Sequence, residues 1–217
     1  MEIDVKEHVD KLINLVKTTN FVNKVTILTG DNGSGKSFIR KIMLGRIEEE
    51  LTALGEKVED IRHLVASVSM ERRTHIDPIW AGLNCFSHDT PDDPTSICTY
   101  RFIEGLLSQE SRYIIIDEPE IGMSEETQLL LCNYLNGELP SVKDLKGVLV
   151  ITHSRVIVNY LTHNQFINLE GLDEGQWLGR SLALPNYTFN DLEDRSFKIY
   201  REIEARLEDT KEKGKKK

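Results

Sequence analysis

The sequence predicts an α/β fold, a mostly parallel sheet flanked by helices. Three observations lead there. Short apolar runs rich in Val and Ile alternate with segments of helical spacing, the pattern of strands covered on both faces. A glycine-rich loop joins the first of these runs to a long helical segment. A later run ends in two adjacent carboxylates, Asp117 and Glu118, where open parallel sheets present their ligands.

Each element has its own signal. Asp4-Val-Lys-Glu7 has the form of a helix-capping box, and Val5, Val9, Leu12, Ile13 and Val16 recur at helical spacing over 5–18. Val25–Leu28 reads as a buried strand. From Ser37 to Leu54 a helical stripe runs through Phe38, Ile39, Ile42, Met43, Ile47 and Leu51, and Gly55 stops it. Leu64–Val68 is a second strand. Residues 71–94 hold three of the six prolines and little periodicity, and read as an inserted loop. Helix is expected again over 95–110, strand over Tyr113–Ile116 and helix over Glu125–Gly137. Strand Val148–Ile151, helix Arg155–Leu161, strand Phe166–Leu169 and a charged helix over 191–207 complete the chain. The division that follows is a helical extension at 1–23, a core at 24–170 with a small insertion at 71–95, a C-terminal segment at 171–210, and a Lys-rich disordered tail at 211–217.

Composition narrows the classes. The 217 residues suffice for one domain with a full core. With 27 basic against 36 acidic residues the formal net charge is −9, so the overall field does not favour nucleic acid. Contact with nucleic acid through the basic tail or a partner stays open as the lesser reading. Cys85, Cys98 and Cys132 are widely spaced, without a CxxC pair, and read as reduced cysteines in a cytoplasmic protein. The N-terminus lacks the pattern of a signal peptide, and no apolar run approaches the ~20 residues of a membrane span. Direct membrane insertion is not expected.

Three motifs carry chemistry. Gly30-Asp-Asn-Gly-Ser-Gly-Lys-Ser37 fits GxxxxGK[ST] at every fixed position, between a strand and a helix. Its glycines let successive N–H groups turn inward on phosphate, and the following helix aims its positive end at the same anion. The binding set is Gly30, Asp31, Asn32, Gly33, Ser34, Gly35, Lys36, Ser37 and Phe38. Lys36 is expected to reach the β- and γ-phosphates of a purine nucleoside triphosphate, and Ser37 to ligate Mg²⁺. In Tyr113-Ile-Ile-Ile-Asp-Glu-Pro-Glu120 an apolar strand runs into carboxylates that are costly to bury without a metal or substrate. Asp117 is then the second Mg²⁺ holder, and Glu118 the group that orients and deprotonates the attacking water. Val148-Leu-Val-Ile-Thr-His-Ser154 puts His153 at another strand tip, beside the γ-phosphate if the two strands are neighbours.

Taken in order, these motifs resemble an ABC-type ATPase domain from about Lys24 to Leu169. The resemblance implies a P-loop NTPase fold, ATP and Mg²⁺ as ligands, ATP hydrolysis, and two ATP molecules sandwiched between two protomers. By position, Gly30–Ser37 resembles the Walker A loop, Asp117 the Walker B aspartate, Glu118 the catalytic glutamate and His153 the switch histidine. Ile121-Gly-Met-Ser124 resembles the loop where two such domains meet. There are departures. No LSGGQ-like signature precedes the third strand, and Ser96 is the nearest candidate for that role, with a plain N-cap as its equal alternative. Glu71 and Arg72 stand where the family has its Q-loop glutamine. A helix stands in place of the N-terminal β-subdomain, and the short stretch between Lys36 and Asp117 implies a reduced helical subdomain. Asp-Glu-Pro-Glu is closer in style to soluble ATPases of the RecF, SMC and OLD kind. The function expected is an ATPase whose ATP-dependent homodimer controls a protein effector, in DNA repair or phage defence. The alternatives are the ATP-binding subunit of a membrane transporter and an AAA+-like remodelling ATPase.

Overall fold

The computed structural model describes residues 4–19, 24–57, 65–68, 95–107, 111–181 and 188–215. Strands β1 (Lys24–Thr29), β2 (Val65–Val68), β3 (Tyr113–Asp117), β4 (Gly147–Ile151) and β5 (Gln165–Asn168) form one sheet in the order β2-β3-β4-β1-β5. All four pairings are parallel. The helices are α1 (Val5–Thr18), α2 (Lys36–Ala53), α3 (Thr95–Leu107), α4 (Glu125–Glu138), α5 (Arg155–Tyr160), α6 (Glu174–Leu178) and α7 (Phe189–Lys215). A 3-10 turn, Leu139–Ser141, follows α4. This is a parallel α/β architecture, one sheet with helices packed on both faces.

The sheet is apolar on both faces because alternate side chains point to opposite sides. Ile114, Ile116, Val148 and Val150 pack with Leu131 and Leu135 of α4, Ile157 of α5 and Ile103 of α3. Tyr113, Ile115, Leu149 and Ile151 pack the other way, against Ile39, Met43, Ile47 and Leu51 of α2 and Leu12 and Val16 of α1. Thus α1 is part of the core layer rather than an appended extension. Asp4 caps it by accepting from the amides of Lys6 and Glu7. The Glu7 carboxylate pairs with Lys11 at 2.7 Å instead of returning to the cap as a full box would. The outer face of α1 meets α7, where Val9 packs with Ile199 and Ile203.

Most elements fall within a residue or two of their expected positions. Two do not. The short helix α6 has a full capping box between Asp173 and Gln176, which sequence reading passed over. Helix α7 runs through Lys215, into the stretch expected to be a disordered tail. Lys and Glu are good helix formers, and that stretch is nearly all Lys and Glu. The loop expected at 71–94, Glu71, Arg72 and Cys85 lie outside the described residues. Among the described residues no helix is long and apolar enough to cross a membrane.

The sheet order fixes where chemistry can happen. Register places Leu28 beside Ile151 and Ile151 beside Asp117. Backbone bonds then carry the ladder one residue further, from Thr152 N–H to Leu28 and from Glu118 N–H to Ile151. The tips of β1, β3 and β4 therefore end level. Because β4 lies between β1 and β3, the loop after β1 and the carboxylates after β3 stand about 10 Å apart, two strand spacings. That gap suits a terminal phosphate and a water.

Leu12 is 2 % exposed, and its Cδ1 lies 2.7 Å from where a Cβ on Gly35 would stand. Leu12→Ala should lower the unfolding free energy by roughly 2–5 kcal/mol, and Leu12→Met by under about 1.5 kcal/mol. Urea unfolding followed by linear extrapolation checks this. Equal stability of the alanine variant and the parent would place α1 outside the core.

Candidate active site

The loop between β1 and α2 owes its shape to glycine. Gly33 and Gly35 have φ of 72° and 102°, in the left-handed region that glycine favours. A Cβ at Gly30 would come within 2.6 Å of Ser34 Oγ, a fully buried hydroxyl with no hydrogen-bond partner among the described residues. Lys36 opens α2 and is 7 % exposed. Its Nζ donates to the carbonyls of Gly30 and Asp31, each at 3.0 Å, so the ammonium is folded over its own loop. Burial lowers its pKa, while Glu118, Glu170, Asp117 and Asp31 pull the other way. Ser37 lies in the same first turn and is exposed, and Phe38 is half-buried against α1 and α2. Asn32 is exposed at the loop's crown.

The loop is braced from both sides. On one side His8 of α1 places Nε2 2.8 Å from the Ser34 carbonyl. On the other, Glu170 accepts from the Asp31 amide at 2.9 Å and is itself held by Asn168 at 3.0 Å. Arg180 forks onto the Asp31 carboxylate at 3.0 and 3.4 Å. None of His8, Asn168, Glu170 or Arg180 belongs to the motif, and sequence reading missed all of them. Asn168 and Glu170 follow the tip of the strand beside β1, which is the signal that could have found the latter two.

The acidic tip is equally constrained. Asp117 has a side chain 14 % exposed and lies 3.4 Å from Nη1 of Arg40. Arg40 follows Lys36 by one helical turn on α2, a spacing that could have flagged it. Burial pushes the Asp117 pKa up to about 6; Arg40 opposes this, Glu118 adds to it, Lys36 opposes and Glu120 adds. Glu118 has φ of 51°, unusual for a residue with a Cβ and more so before a proline. Holding it there costs of order 1–3 kcal/mol. The bend carries its carboxylate to 3.4 Å from His153 Nε2. The neighbouring strands expected for Asp117 and His153 are thus observed, in β3 and β4.

The arrangement brings Lys36, Asp117, Glu118 and His153 to one edge of the sheet. The Ser37 hydroxyl and the Asp117 carboxylate are hard oxygen donors of the kind Mg²⁺ takes. The raised pKa of Asp117 fits this, because a buried carboxylate is relieved by a nearby cation. Ser96 lies in the first turn of α3, and the residue before that helix is outside the described set, so its capping role is untested.

No protein-family model matches the chain, and none of the curated proteins matches it. Among solved structures it is similar to cbiO1 from Clostridium perfringens, described as part of the ABC transporter complex cbiONQ. That match has 15% identity and a TM-score of 0.46 and covers 66% of this chain and 73% of that one. A second structure, described as the ATP binding subunit of an ABC transporter, has 16% identity and a TM-score of 0.43, covering 82% and 89%. Both are transporter subunits, so the RecF, SMC and OLD style expected from Asp-Glu-Pro-Glu gains no support from them. At these values the question of function rests on the site itself.

Asp117 is expected to oppose folding while it is ionised and no cation is bound. Its folded pKa, about 6, lies above its ordinary value of 3.8 even with Arg40 in contact. The penalty is therefore absent below about pH 4, grows through pH 6 and is complete above pH 7. Asp117→Asn, a stand-in for the protonated acid, should stabilise nucleotide-free, chelator-treated protein by up to about 3 kcal/mol at pH 8. The gain should shrink towards zero near pH 4. Urea unfolding of both proteins across that range tests it; a variant less stable than the parent at pH 8 would show that the Arg40 contact outweighs burial.

Proposed function

We propose that this chain is an ABC-type ATPase domain that binds ATP with Mg²⁺ and hydrolyses it. The observation that carries the reading is the convergence of the Lys36 loop, Asp117 and the Glu118–His153 pair, 3.4 Å apart, at one edge of the sheet. Lys36 exchanges the two carbonyls of its own loop for the oxygens of the β- and γ-phosphates. The amides of Gly33 to Ser37 and the start of α2 hold the same anion. Ser37 and Asp117 hold the metal ion, which when bound neutralises charge on the phosphates. Glu118 takes the proton of the attacking water, and His153 fixes the Glu118 carboxylate against the γ-phosphate.

Hydrolysis by such a domain is completed by a second copy. The 121–124 loop follows the acidic tip directly in the chain and by its resemblance would meet a partner protomer, and Ser96 is the candidate for contact with the partner's γ-phosphate. Two acidic chains repel, so closure needs ATP and Mg²⁺ in place. We read the dimer as a switch for a protein effector. Purification from the native host, with and without a non-hydrolysable ATP analogue, separates this from the transporter alternative. A soluble effector supports the first and a permease the second.

Two variants test the chemistry. Lys36→Ala should weaken ATP binding by roughly 2–4 kcal/mol, the scale of a lost charge-assisted contact, as read by calorimetry. Unchanged affinity would remove the phosphate-loop assignment. Glu118→Gln should bind ATP normally and turn over at least about 100-fold more slowly. In analytical ultracentrifugation with ATP and Mg²⁺ it should be dimeric, and Ser96→Glu should be monomeric with ATP binding intact. A Glu118→Gln protein that stays monomeric at tens of micromolar, on the order of weak-interface constants, would leave a different protein as the second half-site.

A further inference from the structure

Glu120 is the third carboxylate of the run Asp117-Glu118-Pro119-Glu120, and the roles above leave it unused. Its Oε1 accepts the backbone N–H of His153 at 2.7 Å, a short bond between two turns far apart in sequence. Its Oε2 is buried with no hydrogen-bond partner among the described residues. A carboxylate is an expensive way to hold one amide, because its second oxygen is stripped of water and its charge stands near Asp117. What the charge brings is strength. A charged acceptor makes a shorter and firmer bond to an amide than a neutral one does.

The bond belongs to a closed circuit. From His153 the chain passes to Ser154, whose Oγ donates to Gln128 Oε1 at 2.5 Å. Gln128 Nε2 donates to the Met123 carbonyl at 3.1 Å, and Met123 N–H donates to the Glu120 carbonyl at 2.9 Å. Glu120 then returns to His153. The turn after β3 and the turn after β4 are fixed to each other as one piece. Ser154 also caps α5, accepting from Ile157 N–H at 3.1 Å, so that helix is tied into the same piece. The His153 ring is exposed, and its contact with Glu118 depends on where its backbone is held.

We propose that Glu120 is a positioning residue: by clamping the His153 amide it sets the reach of the imidazole to the Glu118 carboxylate. The reading rests on the ATPase function proposed above. It separates Glu120 from a role as the base, because one oxygen is already engaged by an amide and the other is enclosed. Glutamine at this position would keep a carbonyl oxygen for the His153 N–H and put an NH₂ where the unpartnered oxygen lies. Alanine would open the circuit.

The test compares Glu120→Gln and Glu120→Ala in the full chain by two readouts. In nucleotide-free protein, amide hydrogen exchange at His153 should be about tenfold faster in Glu120→Ala, the scale of one lost hydrogen bond, and near the parent rate in Glu120→Gln. In ATPase assays Glu120→Ala should lose about 10–100-fold in kcat, the effect of disturbing the support behind a reacting group, with ATP affinity unchanged. Glu120→Gln should recover most of that loss. Equal loss of kcat in both variants, with His153 exchange preserved in Glu120→Gln, would show that the negative charge does chemistry and would overturn the positioning role. Parent-like exchange and turnover in Glu120→Ala would overturn it as well. A parent protein without ATPase activity would remove the functional reading instead, and the exchange comparison would still decide whether the clamp exists.

Discussion

Lys36 carries a positive charge to the interior at the point where Asp31, Asp117, Glu118 and Glu170 converge, and it is held there by the carbonyls of its own loop. Most of the site follows from this arrangement. An ammonium group buried by apolar neighbours alone would give up its proton. Here two backbone acceptors and the surrounding carboxylates keep the charge in place, and the same acceptors are weak enough to be exchanged for phosphate oxygens. Burial of the Asp117 carboxyl, with the charges of Glu118 and Glu120 adding to it, raises its pKa to about 6, and Arg40 stands against it. The pocket is thus charged on both sides of a narrow gap, with neither sign satisfied completely by the protein.

The rest of the fold holds that gap at a fixed width. Strands β1, β3 and β4 end level, and β4 spaces the glycine-rich loop from the acidic tip. Helix α1 packs Leu12 against Gly35 and leans His8 on Ser34, while Glu170 and Arg180 grip Asp31 from the opposite side. The glycines that let the loop close on an anion would also let it collapse, and these braces oppose that. Helix α7 packs on α1 by way of Val9, Ile199 and Ile203, and Phe38 of α2 lies against the same cluster.

How much of this the sequence carried depended on range. The strands were legible because Val148–Ile151 and Tyr113–Ile116 are continuous apolar runs, and the glycine-rich loop because its residues are contiguous. His153 was found through its place at a strand tip. Arg40 was not, since a charged residue one turn into an amphipathic helix usually faces solvent, and only the packing of α2 against β3 turns it inward. His8, Glu170 and Arg180 were missed for a related reason: each acts across a long loop closure that no local pattern records. The disordered tail was expected from charge alone, where helix propensity and continuity with α7 prevailed as far as Lys215.

Glu118 keeps its carboxylate in place by holding a backbone angle that glycine would adopt freely. Replacing it with glycine would relieve that strain and also remove a negative charge from beside Asp117. A substitution that relieves the backbone at this position is therefore one that abolishes the proposed chemistry. Selection of this chain for heat tolerance alone would drift towards inert proteins, and only selection that also demands turnover would preserve the bend after β3.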